Sequence, residues 1–145
     1  MMERDKPVWA EMRGQLWPEE DSQAHAEAIA RNLKCNDVWG FLAEISPATP
    51  AGFAEVALRR YANGCESQPV PFLEGIWVNP QLRRRGIGRR LLEYLEARLI
   101  AQGFREIGSD TQISNNISQS AHLGWGFLET ERVVYFRKAL NIVRL

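Results

Sequence analysis

The spacing of apolar side chains predicts two helices at the start of the chain. Residues 7–16 carry apolar side chains at helical spacing, and Trp17-Pro18 ends that run. A second helix is predicted over the run EEDSQAHAEAIARNLK (19–34), with Asp21 or Ser22 as its N-cap. The chain therefore begins with a helical pair.

Three strands are predicted to follow these helices. The runs VWGFLAEI (38–45) and GFAEVALRRY (52–61) are strand-like, and the turn-rich segment SPATPA (46–51) between them predicts a hairpin. The next run, FLEGIWV (72–78), is apolar at both parities apart from Glu74. A nearly continuous apolar strand is typical of a sheet interior that is covered on both faces.

The middle of the chain predicts a strand–helix–strand unit. After the FLEGIWV strand comes a helix of period 3.6, and Gly103 stands where a glycine commonly ends a helix. The apolar stripe of this helix consists of Ile87, Leu91, Leu92, Leu95 and Leu99. The shorter strand FREIGSD (104–110) follows, so this part of the chain is predicted to form a right-handed βαβ unit.

The last part of the chain predicts a short helix and a second hairpin. The helix covers about residues 116–123, and the run GFLETERVVYFRK (126–138) has the pattern of a hairpin. The tail NIVRL (141–145) is a candidate extension of the last strand toward a partner subunit. The order α-α-β-β-β-α-β-α-β-β predicts a single domain, residues 1–145, with an α/β (α+β) fold: a mixed central sheet with helices on both faces.

Composition and charge exclude several classes of protein. The chain is 45% hydrophobic and 25% charged, and its 18 basic and 18 acidic side chains cancel, which gives no support to a general polyanion binder. No run approaches the length of a membrane span. Cys35 and Cys65 have no metal-like spacing and follow no secretory segment. We therefore expect two reduced thiols in a cytoplasmic protein that binds no metal, nucleic acid or membrane.

One basic locus interrupts this balance, because five arginines lie within residues 83–90, around Gly86 and Gly88. A strand, a short glycine loop and a helix form a geometry that binds phosphate, since the first turn of a helix leaves backbone N–H groups unpaired. Arginine adds fork-shaped donors at the rim. A solvated charged face stays open as the alternative, whereas a dinucleotide-binding fold is excluded because the third glycine is missing.

The arginine loop also resembles a known motif. RRRGIG (83–88), preceded by EGIWVNP and followed by an amphipathic helix, resembles the acetyl-CoA motif of the GNAT N-acetyltransferases. The resemblance implies that the loop amides bind the diphosphate of acetyl-CoA, and that the pantetheine arm lies in a gap where the preceding strand splays from its neighbour. It assigns the following residues to acetyl-CoA, without a metal: Ile76, Trp77, Val78, Arg83, Arg84, Arg85, Gly86, Ile87, Gly88, Arg89 and Asn115.

Four further blocks, in the same order along the chain, narrow the resemblance. QLWP (15–18), YANGCESQPVPFLEGIWV (61–78), SDT (109–111) and GFLETERVVYFRK (126–138) are similar to the aminoglycoside 6′-N-acetyltransferases, in a subgroup that includes dimeric enzymes. The resemblance implies an acceptor that is a polycationic aminoglycoside, direct attack of its 6′-amine on acetyl-CoA, and a homodimer.

Glu74 is the first candidate for the catalytic base. A carboxylate inside an apolar strand is expensive to bury unless it is paired or functional. By alternation it shares strand parity with Ile76, so we expect both side chains on the layer that holds the cofactor arm. The resemblance implies that Glu74 contacts the substrate amine and acts as the base. The alternative is a structural ion pair with Arg59 or Arg60 across the sheet.

Other acidic and aromatic residues complete the candidate acceptor site. Asp110 follows the strand FREIGS, a usual position for ligand contacts, although a turn or helix cap is its common use. The resemblance makes it an anchor for substrate ammonium groups or an alternative base. It also adds four residues to the substrate pocket, where the aromatic ones have core packing as their alternative: Trp17, Glu20, Tyr61 and Glu131.

Two further assignments, an asparagine and a tyrosine, have structural alternatives. Asn115 resembles the asparagine that holds the pantetheine arm, with Asn116 beside it, yet either residue also suits a helix N-cap. Tyr135 lies in VVYFRK, where related enzymes carry the acid for the departing thiolate, although strand tyrosines usually pack. His25 and His122 are expected to be structural.

Two departures from the family pattern affect the expectations. Family members usually begin with a strand before the first helix, whereas MMERDKP (1–7) has no strand pattern. Trp125 stands where a small aliphatic residue is commoner. Two other functions stay open: a GNAT enzyme that acetylates a protein N-terminus, a lysine or a polyamine, and a non-catalytic acyl-CoA-binding domain.

Overall fold

The structure, a computed structural model, describes residues 1–140 and contains one sheet flanked by four α-helices within that range. The predicted tail NIVRL lies outside the described residues. The elements are α1 (Lys6–Leu16), α2 (Ser22–Lys34), β1 (Val38–Ser46), β2 (Thr49–Arg59), β3 (Val70–Val78), α3 (Ile87–Ala101), β4 (Gly108–Ser109) and α4 (Asn116–Gly124), with 3-10 turns at Glu3–Asp5 and Pro80–Leu82.

The sheet is mixed and has the order β1-β2-β3-β4. The first three strands are antiparallel neighbours, and β4 pairs with β3 in parallel. Each face buries its own apolar cluster. The cluster on the α1 face is Trp9, Met12, Ile29 and Phe53, and the cluster on the α3 face is Ala54, Val56, Leu73, Leu92, Leu95 and Leu99. The predicted α/β fold with helices on both faces is therefore confirmed.

Local capping residues explain where the helices begin and end. The carboxylate of Asp21 accepts the N–H of Ala24 at 2.8 Å, which confirms Asp21 as the N-cap of α2. After α3, Gly103 has a φ of +93°, a left-handed conformation that glycine adopts without strain. The side chain of Asn115 accepts the N–H of Ser118 at 3.1 Å and so caps α4.

A buried ion pair joins α1 to the sheet. Arg13 and Glu55 are 7% and 3% exposed, and their side chains form direct hydrogen bonds. The indole N–H of Trp9 donates to the same carboxylate. The Arg13 guanidinium also lies 4.5 Å from the ring centre of Trp17, the residue that follows α1. The pair thus fixes both the helix on β2 and the aromatic residue at its end.

The first segment agrees with its lack of a strand pattern, whereas the strand predicted over 104–110 differs from the structure. The segment before α1 forms a 3-10 turn, and the Met1 amine donates to the carbonyl of Gly40, so within residues 1–140 the sheet begins with β1. The prediction of a strand over 104–110 is too long, because β4 consists of two residues. Phe104 and Ile107 instead pack onto the cluster under α3, which uses their apolar side chains without strand pairing.

The prediction of a hairpin over 126–138 is wrong for this structure. Residues 127–140 form neither helix nor strand. Phe127 packs against the cluster on the α3 face, whereas the apolar side chains from Leu128 onward are exposed, with Phe136 at 92%. A strand needs a partner for its backbone N–H and C=O groups. Residues 128–140, which we name the C-terminal arm, have no partner strand in the described part of the chain. Beside β4 lies a groove of about 320 Å³ lined in part by Trp125, Leu128 and Thr130.

We expect single substitutions in the buried Arg13–Glu55 pair to destabilise the protein strongly. Glu55→Leu or Arg13→Met removes one charge and leaves the other buried without its direct partner, which lowers the free energy of unfolding by about 3–5 kcal/mol. The double variant Arg13→Met/Glu55→Leu should lose less than the sum of two single losses. Urea denaturation measures this, with Glu129→Gln in an exposed ion pair as the control of little effect. Additive losses would contradict the coupling.

Candidate active site

A gap opens where β3 and β4 separate. The two strands pair only at Phe72 with Gly108 and at Leu73 with Ser109, and β3 then continues through residues 74–78. Five residues of strand span about 16 Å at roughly 3.3 Å per residue. We name the last pair, Leu73 and Ser109, the fork. From the fork the gap extends to the end of β3, beside which α3 begins.

The start of α3 has the features of an anion site. Gly86 is its N-cap with a φ of +78°, and no side chain caps this helix. The first amide of the α3 backbone ladder is that of Arg90, which donates to the carbonyl of Gly86 at 3.0 Å. The amides of residues 87–89 are therefore available to a ligand, and the helix dipole favours a negative charge there.

The arginines of this loop divide into two groups. Arg83 donates from Nε to the carbonyl of Val78 at 3.0 Å, and Arg89 donates to the carbonyl of Gly124 at 2.7 Å. These two residues brace the loop against β3 and α4. Arg84 and Arg85 are exposed beside the amides, where their guanidinium groups can reach a phosphate.

Different structural features explain why glycine stands at positions 86 and 88. A Cβ at Gly86 would meet nothing within 4 Å, so its positive φ is what favours glycine. A Cβ at Gly88 would lie 2.9 Å from Cζ2 of Trp125. Glycine at position 88 therefore leaves room for the indole of Trp125, and its contact with acetyl-CoA stays a prediction.

The predicted cofactor residues of β3 point to both faces of the sheet. Ile76 packs against the cluster on the α3 face, and Trp77 packs against the cluster on the α1 face. The Cγ2 atom of Val78 lies 3.7 Å from the Cβ position of Gly88, beside the helix start. Asn115 lies at the start of α4, with its side chain used as the helix cap.

A β-bulge places Glu74 differently from the prediction. Glu55 pairs with Gly75 and Val56 pairs with Leu73, so Glu74 is the extra residue of β3. Ile76 packs under α3, but Glu74 accepts two hydrogen bonds from Arg59, at 2.8 Å from Nε and 2.7 Å from Nη2. The expectation that Glu74 and Ile76 share a face is therefore wrong, because the bulge breaks the alternation.

Arg59 connects the two candidate bases. Its guanidinium lies 3.5 Å from the ring centre of Phe72, which neighbours Leu73 and so lies on the α1 face. The hydrogen bond to Glu74 raises the pKa of Arg59 above its usual value, and the charges of Asp110 and Tyr135 add to that shift. Sequence reasoning named Arg59 only as an ion-pair partner of Glu74. Its position near Asp110 depends on the β3–β4 pairing and carries no sequence signal.

Trp17 and Glu20 lie on the same face as this cluster. A Cβ at Gly75 would lie 2.5 Å from Cζ2 of Trp17, so the indole covers the strand directly beside Glu74. The Glu20 carboxylate lies 3.8 Å from Arg13 and 3.4 Å from Nδ1 of His25. His25 is 2% exposed, which fits its expected structural role.

The remaining predicted residues lie on open surface. Tyr61 is 68% exposed, so core packing is excluded as its alternative, and Asp110 and Glu131 are exposed as well. Tyr135 is 77% exposed on the C-terminal arm. Residues 1–140 contain no group of three or more side chains that could hold a metal ion, and no helix in this range is long and apolar enough to cross a membrane.

Comparison with known proteins finds relatives that are acetyltransferases. Residues 6–127 match the Acetyltransferase (GNAT) family. The aminoglycoside N(6′)-acetyltransferase type 1 of Stenotrophomonas maltophilia is 43% identical over 138 residues, covering 94% of this chain and 89% of the relative. The protein of the same name from Salmonella typhimurium (strain LT2) is 40% identical over 131 residues and 90% of each chain.

Solved structures agree with these sequences. AAC(6′)-Iy in complex with the bisubstrate analogue CoA-S-monomethyl-acetylneamine superposes with a TM-score of 0.90 at 38% identity, covering 97% of this chain and 95% of the other. The aminoglycoside 6′-N-acetyltransferase AAC(6′)-IG from Acinetobacter haemolyticus has a TM-score of 0.91 at 34% identity, with 97% of each chain covered. The chain therefore belongs to the GNAT family of acetyltransferases.

Proposed function

We propose that this protein transfers the acetyl group of acetyl-CoA to the 6′-amine of aminoglycoside antibiotics and thereby confers resistance to them. The observation that carries the proposal is the gap between β3 and β4, with an anion site at one end and two carboxylates, Glu74 and Asp110, at the other. The similarity to aminoglycoside acetyltransferases over about 90% of the chain supports the same activity.

Acetyl-CoA fits the gap by its chemistry. The diphosphate would accept hydrogen bonds from the amides at the start of α3 and from the exposed arginines Arg84 and Arg85. The pantetheine arm carries amides, which suit the backbone groups of residues 74–78 that β4 leaves unpaired. Asn115 lies at the opposite side of the gap. In the relative AAC(6′)-Iy, CoA is joined through its sulfur to an acetylneamine group.

The α1 face suits a polycationic acceptor. Glu20, Glu74 and Asp110 supply negative charge there, and Trp17 forms a wall beside Glu74. Carboxylates attract aminoglycoside ammonium groups and orient one of them toward the thioester. The reacting amine must lose its protons, so we propose that Glu74 or Asp110 is the general base, with Tyr61 and Glu131 at the rim.

We propose a homodimer formed through the C-terminal arm. The arm exposes Val134, Tyr135 and Phe136 and has the strand pattern without a strand partner in residues 1–140. The first part of each arm, Leu128 and Thr130, lines the groove beside β4 in its own chain, and the exposed part from Val134 onward would pack beside β4 of a second copy. In such a dimer Tyr135 would occupy a site other than its exposed position in the single chain.

We also propose that the protein acts in the cytoplasm, where acetyl-CoA is made and where thiols stay reduced. Cys35 is exposed and unpaired. Cys65 is also unpaired, and partial burial raises the pKa of its thiol, which makes it less reactive.

The activity is tested by measuring thiol release from acetyl-CoA with a panel of amines. Kanamycin and tobramycin should be acetylated, and an analogue with a hydroxyl in place of the 6′-amine should not. Equal turnover of both compounds would contradict transfer to the 6′ position. Turnover of peptides or polyamines without any aminoglycoside would establish the alternative acetyltransferase, and CoA binding without any turnover would indicate a binding domain.

Substitution of the two carboxylates tests the base. Glu74→Gln and Asp110→Asn should each lower kcat/KM for tobramycin, and the variant that removes the base should lose roughly 10²–10⁴-fold, the usual contribution of a positioned base. Glu44→Gln, at an exposed position of β1, is the matched control and should keep wild-type kinetics. Wild-type kinetics for both Glu74→Gln and Asp110→Asn would refute the assignment of either residue as base.

The role of the C-terminal arm in dimer formation is tested by measuring the oligomeric state of the protein. Wild-type protein should sediment as a dimer, and the double variant Val134→Lys/Phe136→Lys should sediment as a monomer, because two charges cannot be buried in a partner groove. Glu93→Lys, on the exposed side of α3, is the control that keeps the dimer. A wild-type monomer at micromolar concentration, or a dimeric double variant, would contradict the proposal.

A further inference from the structure

A serine and a histidine that no assigned role has used form a hydrogen-bonded pair. The hydroxyl of Ser109, at the end of β4, lies 2.9 Å from Nε2 of His122 on α4. Nδ1 of His122 lies 2.7 Å from the backbone carbonyl of Ser118. The Ser109 hydroxyl also lies 3.3 Å from the carbonyl of Leu73. Both ring nitrogens therefore have fixed partners, which sets the orientation of the imidazole.

The pair can hold or release a proton without losing a hydrogen bond. In the neutral ring Nδ1–H donates to Ser118, and Nε2 accepts the O–H of Ser109. In the charged ring Nε2–H donates to Ser109, whose own O–H then points to Leu73 or to a ligand. The Ser118 hydroxyl also lies 3.3 Å from Nδ1, and the rings of Trp125 and Phe127 lie 5.6 and 5.1 Å from the imidazole between ring centres. Histidine is the side chain suited to such exchange near neutral pH.

The serine–histidine pair lies at the end of the gap where the thioester of acetyl-CoA would react. Ser109 belongs to the fork, where the gap narrows to its inner end. Its partner Leu73 belongs to the cluster on the α3 face, and its own hydroxyl meets α4, so Ser109 faces that side. Glu74, the residue after the fork on β3, accepts two hydrogen bonds from Arg59 at the α1 face. A thioester at the fork would therefore have the Glu74 carboxylate on one side and the serine–histidine pair on the other.

We propose that Ser109 protonates the departing thiolate of CoA and that His122 supplies this proton through Ser109; this inference rests on the proposed function. The amine nitrogen forms a bond to the acetyl carbon, and the carbon–sulfur bond breaks with its electron pair on sulfur. The O–H proton of Ser109 passes to sulfur while Nε2–H of His122 passes to the serine oxygen. The amine proton leaves through a carboxylate to solvent, from which neutral His122 regains a proton.

Ser109 is the catalytic residue in this scheme, and His122 is a positioning and proton-supplying residue that acts through it. The assignment gives Ser109 the role that the family resemblance gave to Tyr135. Tyr135 is exposed on the arm, where it adds to the raised pKa of Arg59 on the α1 face, whereas Ser109 lies at the fork and meets α4. The proposal thus separates the two residues by their positions relative to the thioester.

Steady-state kinetics with acetyl-CoA and tobramycin test the pair. Ser109→Ala and His122→Gln should each lower kcat by roughly 10²-fold, the lower end for a positioned acid, with little change in KM and in CoA affinity by calorimetry. Ser120→Ala, on the exposed side of α4, should behave as wild type. Undiminished kcat in both variants, or a loss confined to Tyr135→Phe, would overturn the proposal.

Chemical rescue distinguishes proton supply from packing. His122→Gly should regain activity when imidazole is added, and pyrazole, a ring of the same size but a far weaker base, should not restore it. The double variant Ser109→Ala/His122→Gly should not respond to imidazole. Equal rescue by both rings would overturn the proposal in favour of a packing role. Absence of turnover in the wild type would refute the proposed function itself, whereas wild-type turnover with unaffected variants would refute only this inference.

Discussion

The early separation of β3 from β4 is the constraint on which the site depends. Two residue pairs hold the strands together, and the backbone groups of residues 74–78 are left without a β4 partner. Unpaired backbone groups are costly when buried, so the open edge persists only where a ligand or water completes it. The cluster that joins Leu73 to α3 keeps the fork in place, and the same helix presents its N-terminus at the other end of the gap. One helix thus defines both ends of the ligand site.

The buried Arg13–Glu55 pair fixes the structure on the α1 face of the sheet. Burying two charges gains little net stability, because desolvation offsets their attraction. The structural role of the pair is to position an aromatic side chain. The Arg13 guanidinium contacts the ring of Trp17, and Trp17 covers Gly75 next to the bulge. A glycine at position 75 is required because a side chain would meet the indole. The wall of the proposed acceptor site is therefore fixed by Arg13 of α1 and Glu55 of β2, the strand next to the one that carries Glu74.

Sequence reasoning predicted the elements that local signals determine. The stripe of α3, the cap at Asp21 and the glycine after α3 follow from periodicity and from backbone chemistry, and all three are confirmed. The face of Glu74 was mispredicted because a bulge depends on the register of the neighbouring strand. The hairpin over 126–138 failed because a strand pattern does not specify where its partner lies. Ser109 and His122 are thirteen residues apart, and only the fold brings them together.

The sheet itself explains how one site can hold an acid and a base. An acid and a base in one site act on different atoms when the fold holds them apart. Ser109, the last residue of β4, meets His122 of α4 on the α3 face, whereas Glu74 of β3 accepts hydrogen bonds from Arg59 on the α1 face. In the proposed scheme the base on the α1 face takes the proton of the amine, and the pair on the α3 face delivers one to sulfur. With the thioester at the fork between them, the two transfers would need no covalent acyl-enzyme.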